Sequence, residues 1–362
     1  MRSMPPPRAV SLHKAIEGCL LGTAVGDSLG LPFEGLSPQR IARFWTTPEH
    51  HQFFAGKGAL SDDTEHAILV AQSLVESGAD PAFFQRRLAH RLRLWFLGLP
   101  AGIGFGTLCS LLKLLVGVSP ERSGVFTAGN GPAMRASLLG VVAGHDPILL
   151  QSLVSLCTRI THTDPKAEWG ALVVAQSARL AMLHTTPEPR RVLASWRSLL
   201  PDEAGEMVEL LEQVVNSVER GEDTADFAAQ VGLEKGITGY MLHTVPVVVH
   251  CWLSNPADAE SGLVKLIRCG GDTDTTAAIL GGIVGAGVGK AGLPQRWLEG
   301  LVDVPRTVQW MEELALQLSR SWESQQPEQA LRLSPLTIAA RNFVFTLLVL
   351  GHGFRRLLPP YQ

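Results

Sequence analysis

The sequence predicts an all-α fold, and three observations predict it. Segments with helical apolar spacing recur along nearly the whole chain. Alternating strand-like runs joined by hairpin turns are scarce. Hydrophobic residues make up 46% of the 362 and charged residues 18%, below the ~25% typical of soluble domains, so much of the chain is expected in an interior. That balance suits one compact body better than two small ones.

The first helix is expected over 13–30, where Gly18, Gly22, Gly26 and Gly30 fall at every fourth position and so share one face. Each costs up to ~1 kcal/mol relative to Ala inside a helix. Close approach of a neighbouring backbone would justify the stripe, and Gly281, Gly285 and Gly289 repeat it near the end of the chain. The two striped helices are expected to touch at the centre of the bundle, with acidic turns at one end.

Leu31 to Gly35 ends the first helix and leaves Glu34 on a loop. Ser61-Asp62-Asp63-Thr64 then precedes a helix over 65–77, where Asp62 and Glu65 can form a capping box. Helices over 81–97 and 107–116 follow. Gly102-x-Gly104-x-Gly106 between them follows no strand, so it reads as chance and not as a dinucleotide fingerprint. The stretch 124–135 places small residues before Pro132, which suits the first position of a helix over 132–143. Its uncovered N–H groups can cradle a phosphate, or the stretch is an ordinary loop-to-helix junction.

A helix over 147–160 breaks at Thr161-His162-Thr163-Asp164-Pro165, and another runs over 167–183. His162 beside Asp164 is either an oriented donor to a ligand or part of a capped turn facing solvent. Helices over 203–220, 241–253 and 258–267 come next, with a kink or start expected near Pro246. Gly270-Gly271-Asp272-Thr273-Asp274-Thr275-Thr276 opens onto a helix over 277–288. A helix over 308–321 is followed by a Pro-rich, polar linker. The final apolar run, 343–350, has charged flanks and is too short to cross a bilayer, so a docked helix is expected there. The resulting divisions are a tail over 1–12, a main domain over 13–321, a linker over 322–336 and a helical extension over 337–362, ending in Pro359-Pro360-Tyr361.

Net charge is −3 with no long basic patch, so direct nucleic-acid binding is not expected. The five cysteines are scattered without a C-x-x-C pair and read as buried thiols of a reducing compartment. The proline-bearing start lacks an apolar core, so no signal peptide is expected. A cytoplasmic monomer with no membrane association is the default expectation.

The chemistry concentrates in the acidic turns. Asp272 and Asp274, with the hydroxyls of Thr273, Thr275 and Thr276, crowd a helix N-terminus, which offsets only ~0.3–1 kcal/mol of repulsion for each anion. Oxygen donors without Cys or His suit Mg2+, Ca2+ or Mn2+ and not zinc. The bland alternative is an N-cap, with Thr273 or Asp274 accepting backbone N–H bonds. Ser61 to Thr64 repeats the chemistry far away in the chain, and the two turns together can close one site for two ions.

Taken together, these residues resemble the ADP-ribosylglycohydrolase family. The matching pieces are 17–35, 61–64, 129–135 (GNGPAMR), Thr161-His162, Gly239-Tyr240 with Thr244-Val245-Pro246, and 270–276, in the family's order. The resemblance implies a compact multi-helix orthogonal bundle around a dinuclear Mg2+ or Mn2+ centre. It implies metal ligation by Ser61, Asp62, Asp63, Asp272, Asp274 and Thr275. It also implies approach of Glu34 on a mobile loop, a diphosphate loop at Thr127, Ala128, Gly129 and Asn130, and a contact from His162 to bound ADP-ribose. Ser61 stands where the family has threonine; it keeps the hydroxyl and loses a methyl. Thr127 and Ala128 replace a serine and an aromatic residue of some relatives, which bears on acceptor preference.

The implied reaction is metal-dependent hydrolysis of the N- or O-glycosidic bond between ADP-ribose and an acceptor, on an ADP-ribosylated protein or a small conjugate. Such cleavage passes through an oxocarbenium-like state that needs an acid and a base, here Glu34 and Asp63 in roles the sequence leaves open. The rival reading is a non-catalytic, ADP-ribose-binding or structural relative. A degenerate member would be expected to lose carboxylates, and none is missing.

Overall fold

The computed structural model describes residues 10–44 and 49–356. Residues 1–9 of the expected N-terminal tail and the Pro359-Pro360-Tyr361 tail lie outside the described residues. Among the described residues, regular structure is helical throughout, with isolated β-bridges in place of strands.

The helices are α1 (Leu12–Gly30), α2 (Pro38–Phe44), α3 (Asp62–Ser77), α4 (Pro81–Leu97), α5 (Phe105–Leu115) and α6 (Pro120–Ser123). They continue with α7 (Ser137–Ala143), α8 (Pro147–Arg159), α9 (Pro165–Leu183), α10 (Pro189–Leu199), α11 (Gly205–Arg220) and α12 (Thr224–Gln230). The last are α13 (Met241–Ser254), α14 (Ala259–Arg268), α15 (Thr273–Val288), α16 (Gln295–Gly300), α17 (Val308–Ser324) and α18 (Pro335–Arg356).

Three departures from the sequence reading bear on the site. The acidic stretches run into their helices' first turns, because α3 starts at Asp62 and α15 at Thr273, with Ser61 and Asp272 left at the cap positions. The segment expected as one helix from Pro132 is a 3₁₀ turn, Ala133–Arg135, followed by α7, so Pro132 caps the turn and does not open a helix. Short α2, α6, α12 and α16, and the longer α10, carry too few turns or too many charges to stand out by apolar spacing.

The glycine stripes meet as expected. A Cβ on Gly22 would lie 2.1 Å from the Gly281 carbonyl oxygen, one on Gly26 2.0 Å from that of Ala277, and one on Gly30 2.2 Å from that of Thr273. As one residue number rises by four its partner falls by four, so α1 and α15 run antiparallel, backbone against backbone. The end of α1 that leads to Glu34 therefore sits beside the start of α15. Helices α3, α7 and α17 pack on α1, while α9, α13 and α14 pack on α15, burying the pair.

The run expected at 343–350 belongs to a much longer helix. Among the described residues Pro335–Phe354 is long and apolar enough to cross a membrane by length and composition, so shortness does not exclude that. The helix lies against the body along one face through Asn342 and Phe345, which are buried, and exposes Phe343, Leu347 and Phe354.

Candidate active site

The N-terminus of α3 is built around Ser61. Its Oγ accepts from the Asp63 N–H at 3.2 Å and its hydroxyl donates to Asp63 Oδ2 at 3.1 Å. The capping box expected from Asp62 and Glu65 does not form. Ser61 is the cap, and Glu65 turns away to pair with Arg306 at 3.0 Å and Arg341 at 2.9 Å.

At α15 the plain N-cap reading fails as well. Asp272 occupies the cap position without a side-chain cap bond, and its Oδ2 accepts from Asn130 Nδ2 at 2.6 Å. Thr273 donates to the Gly30 carbonyl at 2.8 Å, tying α15 to the end of α1. Thr275 donates to Asp63 Oδ2 at 3.2 Å, so turns 212 positions apart share a hydrogen bond. Gly271 makes this possible. At φ 85° its Cβ would lie 1.9 Å from the Ile237 carbonyl oxygen, so only glycine fits. Its backbone pairs with Gly35 N at 2.7 Å and Leu36 O at 2.8 Å, which draws the Glu34 loop to the same place.

Asp27 is the residue that the sequence reading passed over. It is fully buried in α1, and its Oδ2 accepts from the N–H of Ser61 at 2.9 Å and of Thr64 at 3.2 Å, and from the Thr64 hydroxyl. Burial pushes its pKa up to about 6 against the opposing pull of Thr64 and Ser61. Its only signal in the sequence was an acid in the apolar, glycine-rich stretch after Gly18.

The other carboxylates raise one another. Burial, then the charges of Asp27, Glu65 and Glu34, hold Asp62 well above the ordinary carboxylate range. Burial, then Asp62, Asp27 and Asp272, do the same to Asp63. For Asp274 the causes are burial, then Glu34, Asp272, Asp63 and Asp27. Glu34, Asp62 and Asp274 line one pocket, and the Thr275–Asp63 hydrogen bond brings Asp63 to the same cluster. The pocket is about 160 Å3 in volume, and Ser61 is among its other lining residues.

The loop at Thr127 to Asn130 and the turn at His162 meet beside the cluster, which the loop reaches through Asn130 and Asp272. Asn130 N–H donates to the Gly239 carbonyl at 2.9 Å and Met241 N–H to the Ala128 carbonyl at 2.8 Å. Val125 and Thr163 exchange backbone bonds with the turn through Val125 N to Thr161 O, 3.1 Å, and Thr163 N to Val125 O, 2.9 Å. His162 is buried, so the solvent-facing alternative fails, and a Cβ on Gly129 would lie 2.9 Å from its Nε2.

Burial and Arg135 pull the His162 pKa down to about 3, which keeps the ring neutral. Arg135 Nη2 donates to Thr161 Oγ1 at 2.6 Å, and that hydroxyl has His162 Nδ1 at 2.8 Å and the Thr158 carbonyl at 3.4 Å as outlets for its proton. The nearer outlet is Nδ1, which leaves the proton of His162 on Nε2, facing the loop.

The Gly102-x-Gly104-x-Gly106 stretch, discarded as chance, borders the site too. A Cβ on Gly102 would sit 3.6 Å from Asp62 Oδ1, and one on Gly106 2.7 Å from Thr127 Cγ2 and 3.3 Å from His162 Nε2. No strand precedes it, so the dinucleotide reading stays excluded; Gly106 serves close packing, Gly102 a left-handed turn at φ 84°, and Gly104 has open space around it.

The donor set fits a hard divalent cation. Asp27, Asp63 and Asp274 each have a buried Oδ1 with no hydrogen-bond partner, an arrangement costly unless something positive meets it. Among the described residues no three His, Cys, Asp or Glu side chains already stand as a closed ligand set. Part of the donor set is instead engaged internally, Asp63 with Ser61 and Thr275 and Asp272 with Asn130, so binding a cation would require these side chains to turn.

With the all-α fold and the buried acidic cluster in place, the family match gives the class of protein: a hydrolase acting on ADP-ribosyl linkages. Residues 8–328 match the family described as ADP-ribosylglycohydrolase, and the chain belongs to that family. It is 31% identical to an uncharacterized protein of Archaeoglobus fulgidus, over 85% of this chain and 96% of the relative. It is 26% identical to the ADP-ribosyl-[dinitrogen reductase] glycohydrolase of Rhodospirillum rubrum, over 80% of this chain and 91% of that one. It is 26% identical to the ADP-ribosylhydrolase ARH3 of Mus musculus, over 77% and 85% of the two chains. Among solved structures, an ADP-ribosylglycohydrolase-related protein complex superposes with a TM-score of 0.62 at 26% identity, covering 86% of this chain and 99% of that one.

Proposed function

We propose that this chain reverses ADP-ribosylation by hydrolysing the N- or O-glycosidic bond between ADP-ribose and an acceptor on a protein or small conjugate, using two Mg2+ or Mn2+ ions. Ser61, Asp62, Asp63, Asp272, Asp274 and Thr275 would hold the ions. The observation that supports this best is the Thr275–Asp63 hydrogen bond, 3.2 Å long, which joins the two acidic turns beside carboxylate oxygens that lack any partner. The names of the Rhodospirillum and mouse relatives describe the same linkage class.

When bound, the ions supply orientation of the ribose hydroxyls and a lowered pKa for a water. The chain supplies the rest. Thr127, Ala128 and Gly129 offer backbone to the diphosphate, and Asn130 ties that loop to Asp272. His162, neutral and carrying its proton on Nε2, donates to the nucleotide. Asp63 is 1% exposed and engaged by Ser61 and Thr275, so it serves as a ligand. Glu34 is exposed on the pocket rim, so it takes the proton of the attacking water and returns one to the leaving-group heteroatom. The unbonded thiols suit a reducing compartment, and the cytoplasm is the proposed location.

The test follows ADP-ribose release from defined arginine- and serine-linked ADP-ribosyl peptides with each metal. Asp272→Asn and Asp274→Asn are expected to lower kcat/KM by ~10²-fold or more, and Glu34→Gln to lower kcat with little change in metal affinity. Undiminished turnover in both Asp variants removes the assignment.

A further inference from the structure

Helix α18 lies beyond residue 328, where the family match ends, yet it is fastened to the acidic turn itself. Arg341 donates to Asp303 Oδ2 through Nε at 3.0 Å, pairs with Glu65 at 2.9 Å and donates to the Leu60 carbonyl, one residue before Ser61. Asn342 Nδ2 donates to the Gly98 carbonyl at 2.7 Å, holding the start of the segment that carries Gly102. Four residues after Arg341, Phe345 is 5% exposed and stacks on Phe53 at 5.4 Å. His352 stacks on the same Phe53 ring at 4.9 Å and meets its carbonyl through Nε2. Positions 341, 345, 349 and 352 share one helical face, and that face points at the site.

The pocket of about 160 Å3 has two unlike walls. One is Glu34, Ser61, Asp62 and Asp274; the other is Phe53, Phe345, Val349 and His352. Neither the loop Thr127 to Asn130 nor His162 lines it. The carboxylates thus have a nucleotide-binding side and a separate aromatic side. Only the leaving group needs a place on the second. The volume corresponds to about five waters' share of the liquid, and the ions would take part of it, which leaves room only for a compact group against the aromatic wall.

We propose that α18 and Phe53 form the acceptor wall of the active site, and that this wall selects small acceptors with a compact leaving group over the same linkage on a folded protein surface. The proposal rests on the hydrolase reading above. It adds a role for a segment outside the family match: α18 narrows one side of the pocket, which Val349, His352 and the edge of Phe345 line, the faces of Phe345 being taken by Phe53 and Arg341.

The experiment measures kcat/KM of the full chain for matched pairs, each linkage carried once by a free amino acid or short peptide and once by a folded protein. Small conjugates are expected to be preferred by about tenfold or more. The double variant Phe345→Ala with Val349→Ala should shrink that ratio by about tenfold, chiefly by raising turnover of the protein-borne linkage. Val349→Trp, at a half-buried position on the pocket wall, should raise KM for small conjugates and leave the Mn2+-induced rise in Tm intact. No turnover of any conjugate by the wild-type chain would defeat the hydrolase reading itself. Turnover with equal ratios in wild type and double variant, together with an unmoved KM in Val349→Trp, would overturn the acceptor wall alone.

Discussion

Asp274 is 6% exposed, and its Oδ1 has no donor among its neighbours. A carboxylate whose folded pKa lies above its unfolded value destabilises the fold once it ionises. In chelator at neutral pH, Asp274→Asn is therefore expected to raise stability, by about 1–3 kcal/mol, while ending activity. Added Mg2+ or Mn2+ should raise the wild-type Tm and leave that of the variant nearly unchanged. Equal metal-induced shifts in the two proteins, read by thermal melting, would remove Asp274 from the ion site. At this scale the acidic turns were legible because hydroxyls and carboxylates rarely crowd the start of an apolar helix without cause. Asp27 was not, because its role lies in hydrogen bonds to Ser61 and Thr64, more than thirty positions ahead, and nothing local announces them.

The paired glycine faces make the position of α3, α15 and Glu34 a matter of two helices touching. Gly281→Ala would drive its Cβ to 2.0 Å from the Gly22 carbonyl oxygen, which no side-chain movement can relieve. Separation of α1 from α15 follows, with loss of several kcal/mol by analogy with overpacked cores, about 3 or more. The control is Gly262→Ala in α14, where the nearest atoms would be Asn255 Cβ and a Leu280 methyl at 3.6 Å. That variant gains helix propensity and should stabilise by up to ~1 kcal/mol. Urea melts decide it, and similar effects from both substitutions would refute the close-contact account. The stripe was readable because a four-residue repeat of costly glycines has one simple use. The extent of α18 was not, because Asn342, Gly351, His352 and Gly353 bound its most apolar run, and only the body's Asp303, Glu65 and Phe53 show why the helix continues past them.

Across the whole molecule, protons act with opposite signs. His162 and His250 are buried neutral, with pKa values pulled from 6.5 down to about 3 and about 4. The unfolded chain binds more protons than the folded one in that range, so their contribution is complete above pH 6.5 and is lost as pH falls toward 4 and 3. Asp27 runs the other way: raised from 3.8 to about 6, it favours the fold at low pH and that contribution is lost as pH rises through about 6. In chelator the two trends oppose, with Asp62, Asp63 and Asp274, raised like Asp27, adding to the second, so the acid-side loss from the histidines should be partly masked. With Mn2+ present, protons compete for the same carboxylates, and the metal-induced rise in Tm should be largest near neutrality and shrink as pH falls below about 6. His250 separates the terms, since it sits away from the cluster, stacked on Phe227 at 4.6 Å and bonded to Ser217 and Thr224 at 3.1 and 3.2 Å. His250→Gln should blunt the acid-side loss in chelator and leave the pH profile of the metal shift as it was. A metal shift of equal size at mildly acidic and neutral pH would mean that the ion binds somewhere other than the buried carboxylates. A variant with an unaltered acid limb would mean that His250 already carries its proton in the native protein.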